Sequence, residues 1–430
     1  MMESKPIGPI SRRSLITGVL AGTALGVLGA QITARPALGA GKSVSVGTFH
    51  FDPTSRMTEK EFIAVATKAG FELKFENIDN FVSQSQIATY FQASPSDIVE
   101  YTTGYRLKYA ASKGLVADLS DVWSKVNRNF ARSYKSAATA ADGKQYMLPV
   151  ARYPWAVMYR KSIFKAAGIE PAGIITWVDF INACKTFKSK GLTPIAMGDA
   201  SGWEALGTFE FVNLRTNGYK FHRDLMDGRA SWNDARIQKT LQNWESTFPY
   251  QNSNALDLDW AAAGRLVLQN KAAMQVMGSF HSQLYTDPAD LADLALFPFP
   301  EISKAHHRAS LVAPVNGFAL PKASQKNFAN AKSLLTWLAS LDYATVAASE
   351  APTTLMANSN LPTSESAFVR QQAALVKVSK YFTNTLERDT RPDFVTPIVG
   401  PAIQAFIKNP GDKKKIAANL ASQWTGLPSL

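Results

Sequence analysis

The stretch from residue 143 to residue 202 constrains the fold most, because strand-like and helix-like segments alternate along it. Short apolar runs that end at Pro149 and surround Met158 predict two half-buried strands. A helix is predicted from Lys161 to Ala167. Gly168 follows it, at a position where a glycine readily adopts the left-handed conformation that ends a helix.

A second helix is predicted to begin at Thr176 and to end at Gly191. The hydroxyl of Thr176 can cap its first turn, and Asp179 places a negative charge there. Residues 194–197 then form a short apolar segment that is typical of a buried strand. Because similar alternation begins at Ser43, the chain is predicted to be an α/β protein with mostly parallel sheets and helices on both faces.

The same motifs carry a resemblance to a known family. Their order and spacing resemble the extracellular solute-binding proteins of bacterial sugar importers (solute-binding family 1), the class that includes maltose-binding protein. In chain order the motifs are Gly143–Pro149, Met158–Lys161, Thr176–Phe180, Asn270–Phe280 and Asn316–Lys322. Four positions depart from the family pattern: Arg160, Val178, Asn270 and Phe280.

The resemblance implies a two-lobe periplasmic binding protein of type II. Its parallel-sheet lobes would be joined by hinge crossings, with a ligand cleft between them. One lobe would comprise residues 41–149 and about 300–341, and the other residues 150–299 and about 342–430. The crossings would fall near Pro149, near Phe297–Pro300 and after Leu341.

The first 40 residues form an export signal rather than part of the fold. Arg12 and Arg13 match a twin-arginine signature, an apolar run from Leu15 to Ala30 follows, and Leu38–Ala40 offers small residues for cleavage. The apolar run is shorter and less hydrophobic than the ~20 residues that a membrane span needs. The mature protein is therefore expected to begin near Gly41 and to be periplasmic.

Composition excludes several classes of protein. The 46% hydrophobic content and the length of 430 residues fit a globular chain of two domains. The net charge of +12 permits nucleic-acid binding. However, the densest cationic cluster, Lys413–Lys415, is predicted to lie on the solvated face of a helix, so no nucleic-acid partner is expected. The single cysteine, Cys184, cannot form an intramolecular disulfide and is predicted to be a buried thiol.

A sugar needs flat aromatic rings for its apolar faces and charged or amide groups for its hydroxyls. Carboxylates accept well from hydroxyls, and charge-assisted hydrogen bonds are the strong ones. Such residues follow the predicted strands, and Trp155 is the leading candidate. The predicted ligand-binding residues are Phe49, His50, Asp52, Glu100, Tyr101, Trp155, Asp199, Trp203, Glu204, Phe280 and Asn316.

The resemblance predicts the substrate-binding component of an ABC transporter. Its partners would be a carbohydrate and the membrane permease subunits, and it would act as a monomer, with no enzyme activity, catalytic residue, cofactor or metal. Two alternatives remain open at this point. The same fold could bind a glycerol-phosphate-type ester through Arg56, Arg152 or Arg160, or the chain could be a secreted carbohydrate-active enzyme whose paired carboxylates meet only in space.

Overall fold

The computed structural model describes residues 42–48, 59–78, 86–93 and 95–427 of the chain. The predicted export signal, Arg56 and three predicted site residues (Phe49, His50 and Asp52) lie outside the described residues. Within the described ranges, no helix combines the length and the apolar character that crossing a membrane requires.

Strands and helices alternate along the described chain. The strands are β1 (Lys42–Thr48), β2 (Phe71–Asn77), β3 (Ile98–Thr102), β4 (Met147–Arg152), β5 (Trp155–Arg160), β6 (Thr193–Ile195), β7 (Ala272–Gly278), β8 (Leu294–Phe297), β9 (Ser310–Val312), β10 (Val315–Ala319), β11 (Leu355–Met356) and β12 (Tyr381–Thr383). The helices are α1 (Glu59–Lys68), α2 (Ile87–Gln92), α3 (Tyr105–Ser112), α4 (Ser120–Val126), α5 (Arg132–Ala138), α6 (Lys161–Ala167), α7 (Trp177–Ser189), α8 (Glu204–Met226), α9 (Ala235–Glu245), α10 (Trp260–Leu268), α11 (Pro288–Asp293), α12 (Phe328–Leu338), α13 (Leu341–Glu350), α14 (Ala367–Val378), α15 (Leu386–Asp389), α16 (Pro392–Phe394), α17 (Gly400–Lys408) and α18 (Lys413–Thr425).

The first sheet has the strand order β11-β4-β10-β3-β1-β2. β1 runs parallel to β2 and β3, whereas β10 runs antiparallel to β3 and β4. The start of β10 therefore lies beside the end of β3, with Asn316 opposite Thr102. Since β4 is also antiparallel to β10, the carboxyl ends of β3 and β4 meet at the same edge of the sheet.

The second sheet has the order β6-β7-β5-β8, and β9 pairs with β12 in a separate small sheet. β6 is parallel to β7, and β5 is antiparallel to both of its neighbours. β5 follows directly from β4 of the first sheet, and β10 follows directly from β9. Each of these strands enters its sheet from the other half of the molecule, so it runs against its neighbours. The sheets are therefore mixed, although β6, β7 and β8 share one direction, as predicted.

The helices of the central stretch form where the sequence predicts them. α6 ends at Gly168, whose φ of 72° is the left-handed conformation expected for that cap. α7 begins with a capping box. The backbone N–H of Asp179 donates to Thr176 Oγ1 at 3.3 Å, and Asp179 Oδ2 accepts from the backbone N–H of Thr176 at 2.8 Å. Both ends of this βα unit are thus set by local side-chain chemistry.

Among the described residues, two large hydrophobic cores form, one around each large sheet, and a small third cluster surrounds Ala263 and Val267. Trp123, Leu334 and Tyr343 belong to the first core, so α13 packs with the first sheet. The second core includes Trp244 and Phe406, and the C-terminal helices α14, α17 and α18 pack into it. The chain passes between the halves after β4, after β9 and between β11 and α14. The domain boundaries given above stay a prediction.

Two further expectations concern single features of the sequence. Cys184 is buried in the second core, and burial raises the pKa of its thiol to about 12, so the thiolate form is suppressed at neutral pH. Lys413–Lys415 lie in the first turn of α18, which Asp412 caps by accepting from two backbone N–H groups. The lysine cluster therefore lies at the N-terminus of a helix, and the capping carboxylate of Asp412 offsets part of its positive charge.

Candidate functional site

One group of polar side chains lies where β3 ends and β10 begins. Thr102 is opposite Asn316, and Glu100, two residues earlier on β3, is opposite Phe318. Nη1 of Arg388 donates to Asn316 Oδ1 at 2.8 Å and to Thr102 Oγ1 at 3.0 Å. Since Arg388 lies in α15, the C-terminal segment places a cation on an edge that two distant parts of the chain create.

A cavity of about 150 Å³ opens at this edge. Its lining combines polar and aromatic side chains from both halves of the molecule, among them Phe75, Glu100, Tyr153, Gln283, Asn316 and Tyr343. Burial, together with the negative charge of Glu100, raises the pKa of the Tyr153 phenol, so its hydroxyl stays protonated and can donate a hydrogen bond. The cavity therefore offers hydrogen-bond donors, acceptors and flat rings side by side.

An aromatic cluster lies on the second half of the molecule, next to this cavity. Trp155 begins β5, Phe280 follows β7, and Trp203 precedes α8. The three ring centroids lie 6.3 Å from one another. Phe280 also packs edge-on against Trp260, with 5.0 Å between the ring centroids, and against Tyr153, with 6.2 Å between the centroids. The structure thus brings together the three aromatic residues that the sequence predicted as ligand contacts. None of these three rings lines the cavity itself, but Tyr153, which does, packs against Phe280.

The three rings differ in exposure. Trp155 is 1% exposed and belongs to the second core, whereas Trp203 and Phe280 are half-buried. A Cβ atom at Gly207 would lie 2.2 Å from Cζ3 of Trp155, so α8 can approach the indole only because that position is glycine. The structure therefore places Trp155 behind the other two rings as their support. Its direct contact with a ligand stays a prediction.

Asp199 and Glu204 form a buried pair beneath Trp203. Asp199 Oδ1 accepts from the N–H of Ala205 at 2.9 Å, and the carboxylate of Glu204 accepts from the N–H groups of Trp203 and Trp260, each at 3.3 Å. Burial raises the pKa of Asp199, and burial and the charge of Asp199 raise the pKa of Glu204 to about 8. In this structure the two carboxyl groups hold the loop that carries Trp203, and a direct contact with a ligand stays a prediction for both.

The structure places Tyr101 in the first core and not at the cavity. Its ring packs edge-on against Phe91 at 5.2 Å, and it is 4% exposed. Successive side chains of a strand point to opposite faces, so Tyr101 must face away from the cavity when Glu100 faces it. A direct contact of Tyr101 with a ligand stays a prediction.

Two of the cations suggested for a phosphate ester, Arg152 and Arg160, do not line the cavity. Arg160 is bound by Asp290 at 2.6 Å and by Asp293 at 2.8 Å. Arg152 points to the opposite side of the sheet edge from its neighbours Ala151 and Tyr153, which line the cavity. Within the part of the chain that the structure describes, Arg388 lies at this edge, on Asn316 and Thr102.

The model of the bacterial extracellular solute-binding protein family matches residues 55–345. The chain belongs to this family. Family membership confirms the resemblance that the sequence motifs carry.

Two curated relatives of this solute-binding protein carry names that refer to transport or to sugar binding. An uncharacterized ABC transporter extracellular-binding protein of Pyrococcus horikoshii is 25% identical over 283 residues, which cover 60% of this chain and 61% of the relative. A "probable sugar-binding periplasmic protein" of Mesorhizobium japonicum is 27% identical over 221 residues, 48% of this chain and 50% of the relative. The alignments thus span half to three fifths of the length of these curated relatives.

A solved structure extends the likeness over nearly the whole chain. The bacterial solute receptor AcbH, whose structure is described with an exclusive substrate preference for β-D-galactopyranose, is 28% identical. The alignment covers 90% of this chain and 99% of that receptor, with a TM-score of 0.83. The predicted two-lobe α/β fold is therefore confirmed.

Sequence reasoning missed part of this solute-binding protein's candidate site. Arg388 follows no motif and meets Asn316 across 72 residues of sequence, so only the folded chain shows the contact. Gln283 lies in the 3₁₀ turn Ser279–Leu284, just after Phe280. Its position after a predicted strand was the one signal that could have identified it.

Proposed function

We propose that this protein is the substrate-binding component of an ABC importer and that its ligand is a small neutral saccharide of monosaccharide size. The observation that carries the proposal is the cavity that Glu100, Asn316 and Tyr153 line. Arg388 is hydrogen-bonded to Asn316, and Phe280 of the aromatic cluster packs against Tyr153. Glu100 and Asn316 can accept from sugar hydroxyls, Arg388 and Tyr153 can donate to them, and the half-buried rings can cover an apolar sugar face.

The size of the cavity favours a single sugar unit. Small-molecule pockets usually measure about 300–1,000 Å³, and the cavity of about 150 Å³ lies below that range. The preference of the receptor AcbH for a single pyranose supports the same ligand class. A micromolar dissociation constant corresponds to about −8.2 kcal/mol. A few charge-assisted hydrogen bonds of roughly 1.5–3 kcal/mol each and one stacked ring supply that.

Capture would proceed by closure of the two lobes. Arg388 follows Leu386 of the second core by two residues but hydrogen-bonds to the first sheet, so it links the two halves through the cavity residue Asn316. Rotation about the passages after β4 and after β9 would open and close this contact. A permease that recognises the closed form would receive only the loaded protein.

Calorimetry with neutral hexoses, pentoses, sugar alcohols and disaccharides tests the ligand class. We expect saturable binding of at least one monosaccharide or sugar alcohol, with an affinity that changes little between low and high salt. Glu100→Gln should weaken that binding, whereas Glu170→Gln, at an exposed position on the surface, should not. Binding that falls steeply with salt, or that is confined to disaccharides and longer sugars, would contradict the proposal.

Small-angle scattering with and without the ligand tests closure. The radius of gyration should fall when the sugar binds. An identical radius in both states would indicate a rigid site and would remove the signal that the proposed permease partner needs.

We infer that the protein is exported by the twin-arginine route, acts in the periplasm as a monomer and catalyses no reaction. Arg12 and Arg13 support the route, and family membership supports the extracytoplasmic location. Replacing both arginines with lysines should leave the precursor inside the cell. Unchanged export of that variant would instead favour the general secretory route.

A further inference from the structure

A second groove lies on the other side of the sheet edge from the cavity. Its volume is about 370 Å³, and its lining shares no residue with that of the cavity among the described residues. On β10, Val315 lines the groove and Asn316 lines the cavity, as expected for neighbours that point to opposite faces of a strand. The groove is therefore a separate site and not an extension of the cavity.

The wall of the groove contains a buried arginine, Arg152, two of whose guanidinium nitrogens have no hydrogen-bond partner among the described residues. Arg152 is 2% exposed, and these two nitrogens are Nε and Nη1. Its guanidinium carbon lies 4.6 Å from the ring centre of Tyr134 and 4.5 Å from that of Phe382. Contacts with two ring faces compensate only part of the hydration that a buried cation loses, so an anion in the groove would stabilise this arginine.

The surrounding charges favour an anion as well. Lys108 and Lys380 line the groove from opposite halves of the molecule, and both are exposed. Arg223, Asp227 and Asp389 also line it, but they are engaged with one another: Arg223 binds Asp227 at 2.9 Å and Asp389 at 3.5 Å. Three cations, including Arg152, thus face the groove without an ion pair among the described residues. Ser133 and Ser136 add hydroxyl donors.

We propose that this groove binds an oxyanion, a phosphate or a carboxylate group of a small molecule, with Arg152 as its central ligand. A guanidinium presents parallel N–H donors that match the oxygens of both groups. The volume of the groove lies within the usual range of about 300–1,000 Å³ for small-molecule sites. Because both halves of the molecule line it, the bound anion would contact both lobes on the side away from the sugar cavity.

Titrations of the full mature protein with sodium phosphate and with sodium succinate test this site, at an ionic strength held constant with sodium chloride. We expect saturable binding of at least one of the two, with a dissociation constant below about 1 mM, and a melting temperature that rises with its concentration. Preference between the two probes then distinguishes a phosphate from a carboxylate ligand. Equal melting temperatures in phosphate, succinate and chloride would overturn the proposal and leave water as the partner of Arg152.

Variants locate the binding. Lys108→Ala combined with Lys380→Ala removes two exposed cations and should weaken anion binding at least tenfold, while Arg152→Gln should abolish it. Lys165→Ala, an exposed lysine on α6, is the matched control and should bind the anion like the wild type. Sugar affinity should be unchanged in the double lysine variant, so a failure of this site is distinguishable from a failure of the sugar site. Full anion affinity in both groove variants would overturn the assignment.

Discussion

The two sides of the candidate sugar site are built in different ways. The aromatic side (Trp155, Trp203, Phe280 and Trp260) is continuous with the second core. The centroids of its contacting rings are separated by 5.0–6.3 Å. The polar side (Glu100, Asn316 and Arg388) lies at the rim of the first sheet and is completed by a residue from α15. One side is packed, and the other is assembled from distant segments.

Because of this difference, substitutions on the two sides should affect different properties, stability on the aromatic side and ligand affinity on the polar side. A packed aromatic group cannot be altered without disturbing the core that it belongs to, so changes there should appear first as lost stability. On the polar side Asn316 and Arg388 are half-buried and held by a hydrogen bond across the two lobes, so changes there should appear as weaker binding or altered closure. The site would thus combine a rigid platform with an adjustable rim.

The largest effect is expected for Trp155→Ala. Removing a buried tryptophan costs about 3–5 kcal/mol of the free energy of unfolding, and Trp155 is 1% exposed. Denaturant unfolding measures the loss. Trp244→Ala, which removes a tryptophan that is 0% exposed in the same core but outside the aromatic cluster, is the matched control. Both should lose stability, but only Trp155→Ala should also weaken sugar binding in the folded protein. A wild-type stability for Trp155→Ala would show that the ring is not a core element.

The next effect concerns the pH dependence of stability, through the buried pair under Trp203. The folded pKa of Glu204, about 8, lies above its ordinary value of 4.5. The protonated form therefore stabilises the fold fully at low pH, and this contribution is lost as pH rises toward 8. We expect the free energy of unfolding to fall as pH rises through that range, because the folded protein keeps a proton on Glu204 that the unfolded chain has already released. Unfolding curves across the range measure it.

Glu204→Gln should reduce this pH dependence, because the amide keeps the shape of the protonated acid without titrating. Asp199, whose pKa is also raised by burial, should still contribute in the variant. Glu170→Gln, at an exposed position, should keep it. A slope that is equal in wild type and Glu204→Gln would show that Glu204 is ionised in the folded protein over the whole range.

The packed side was the more predictable from sequence. Trp155, Trp203 and Phe280 each follow or precede a segment with clear strand or helix periodicity, and strand ends meet at one edge in α/β folds. The caps at Thr176 and Gly168 were equally readable, because the local chain decides them. The burial of Trp155 could not be predicted from the sequence. It depends on Gly207 of α8, where the absence of a side chain lets the helix pack against the indole in the folded protein.

The assembled side was much less predictable. Asn316 and Glu100 could be proposed from their strands, but Arg388 lies in a short C-terminal helix that has no recognisable motif. Its partners Asn316 and Thr102 are 72 and 286 residues away in the chain. Contacts at such separations are set by how the two lobes dock and not by local pattern, so a single sequence does not contain a readable signal for them.

A smaller effect on the packed side is expected for Gly207→Ala. The added methyl would lie 2.2 Å from the indole of Trp155, so the ring or α8 must shift. Such overpacking costs about 1–3 kcal/mol of the free energy of unfolding. The control is Gly173→Ala, where a Cβ would meet no atom within 4 Å. Thermal unfolding of the two variants separates the cases, and equal melting temperatures would show that the Trp155 pocket can expand freely.

The smallest effect is expected on the polar side, for Arg388→Ala. The variant loses the hydrogen bonds to Asn316 Oδ1 and Thr102 Oγ1, and with them the cation that is bound to the cavity residue Asn316. Because the Arg388 side chain is 18% exposed, water compensates part of the loss. We therefore expect about tenfold weaker sugar binding, ~1.4 kcal/mol, with little change in melting temperature.

Arg388→Lys sharpens this last prediction, because it keeps the charge but loses the fork of N–H donors that reaches two acceptors at once. Its affinity for the sugar should lie between those of the wild type and Arg388→Ala. Arg370→Ala, at an exposed arginine on α14, is the control and should bind like the wild type. Calorimetry measures all four proteins. If Arg388→Ala binds the sugar normally but unfolds several degrees lower, Arg388 is a structural link between the lobes, and the polar side would then resemble the packed side after all.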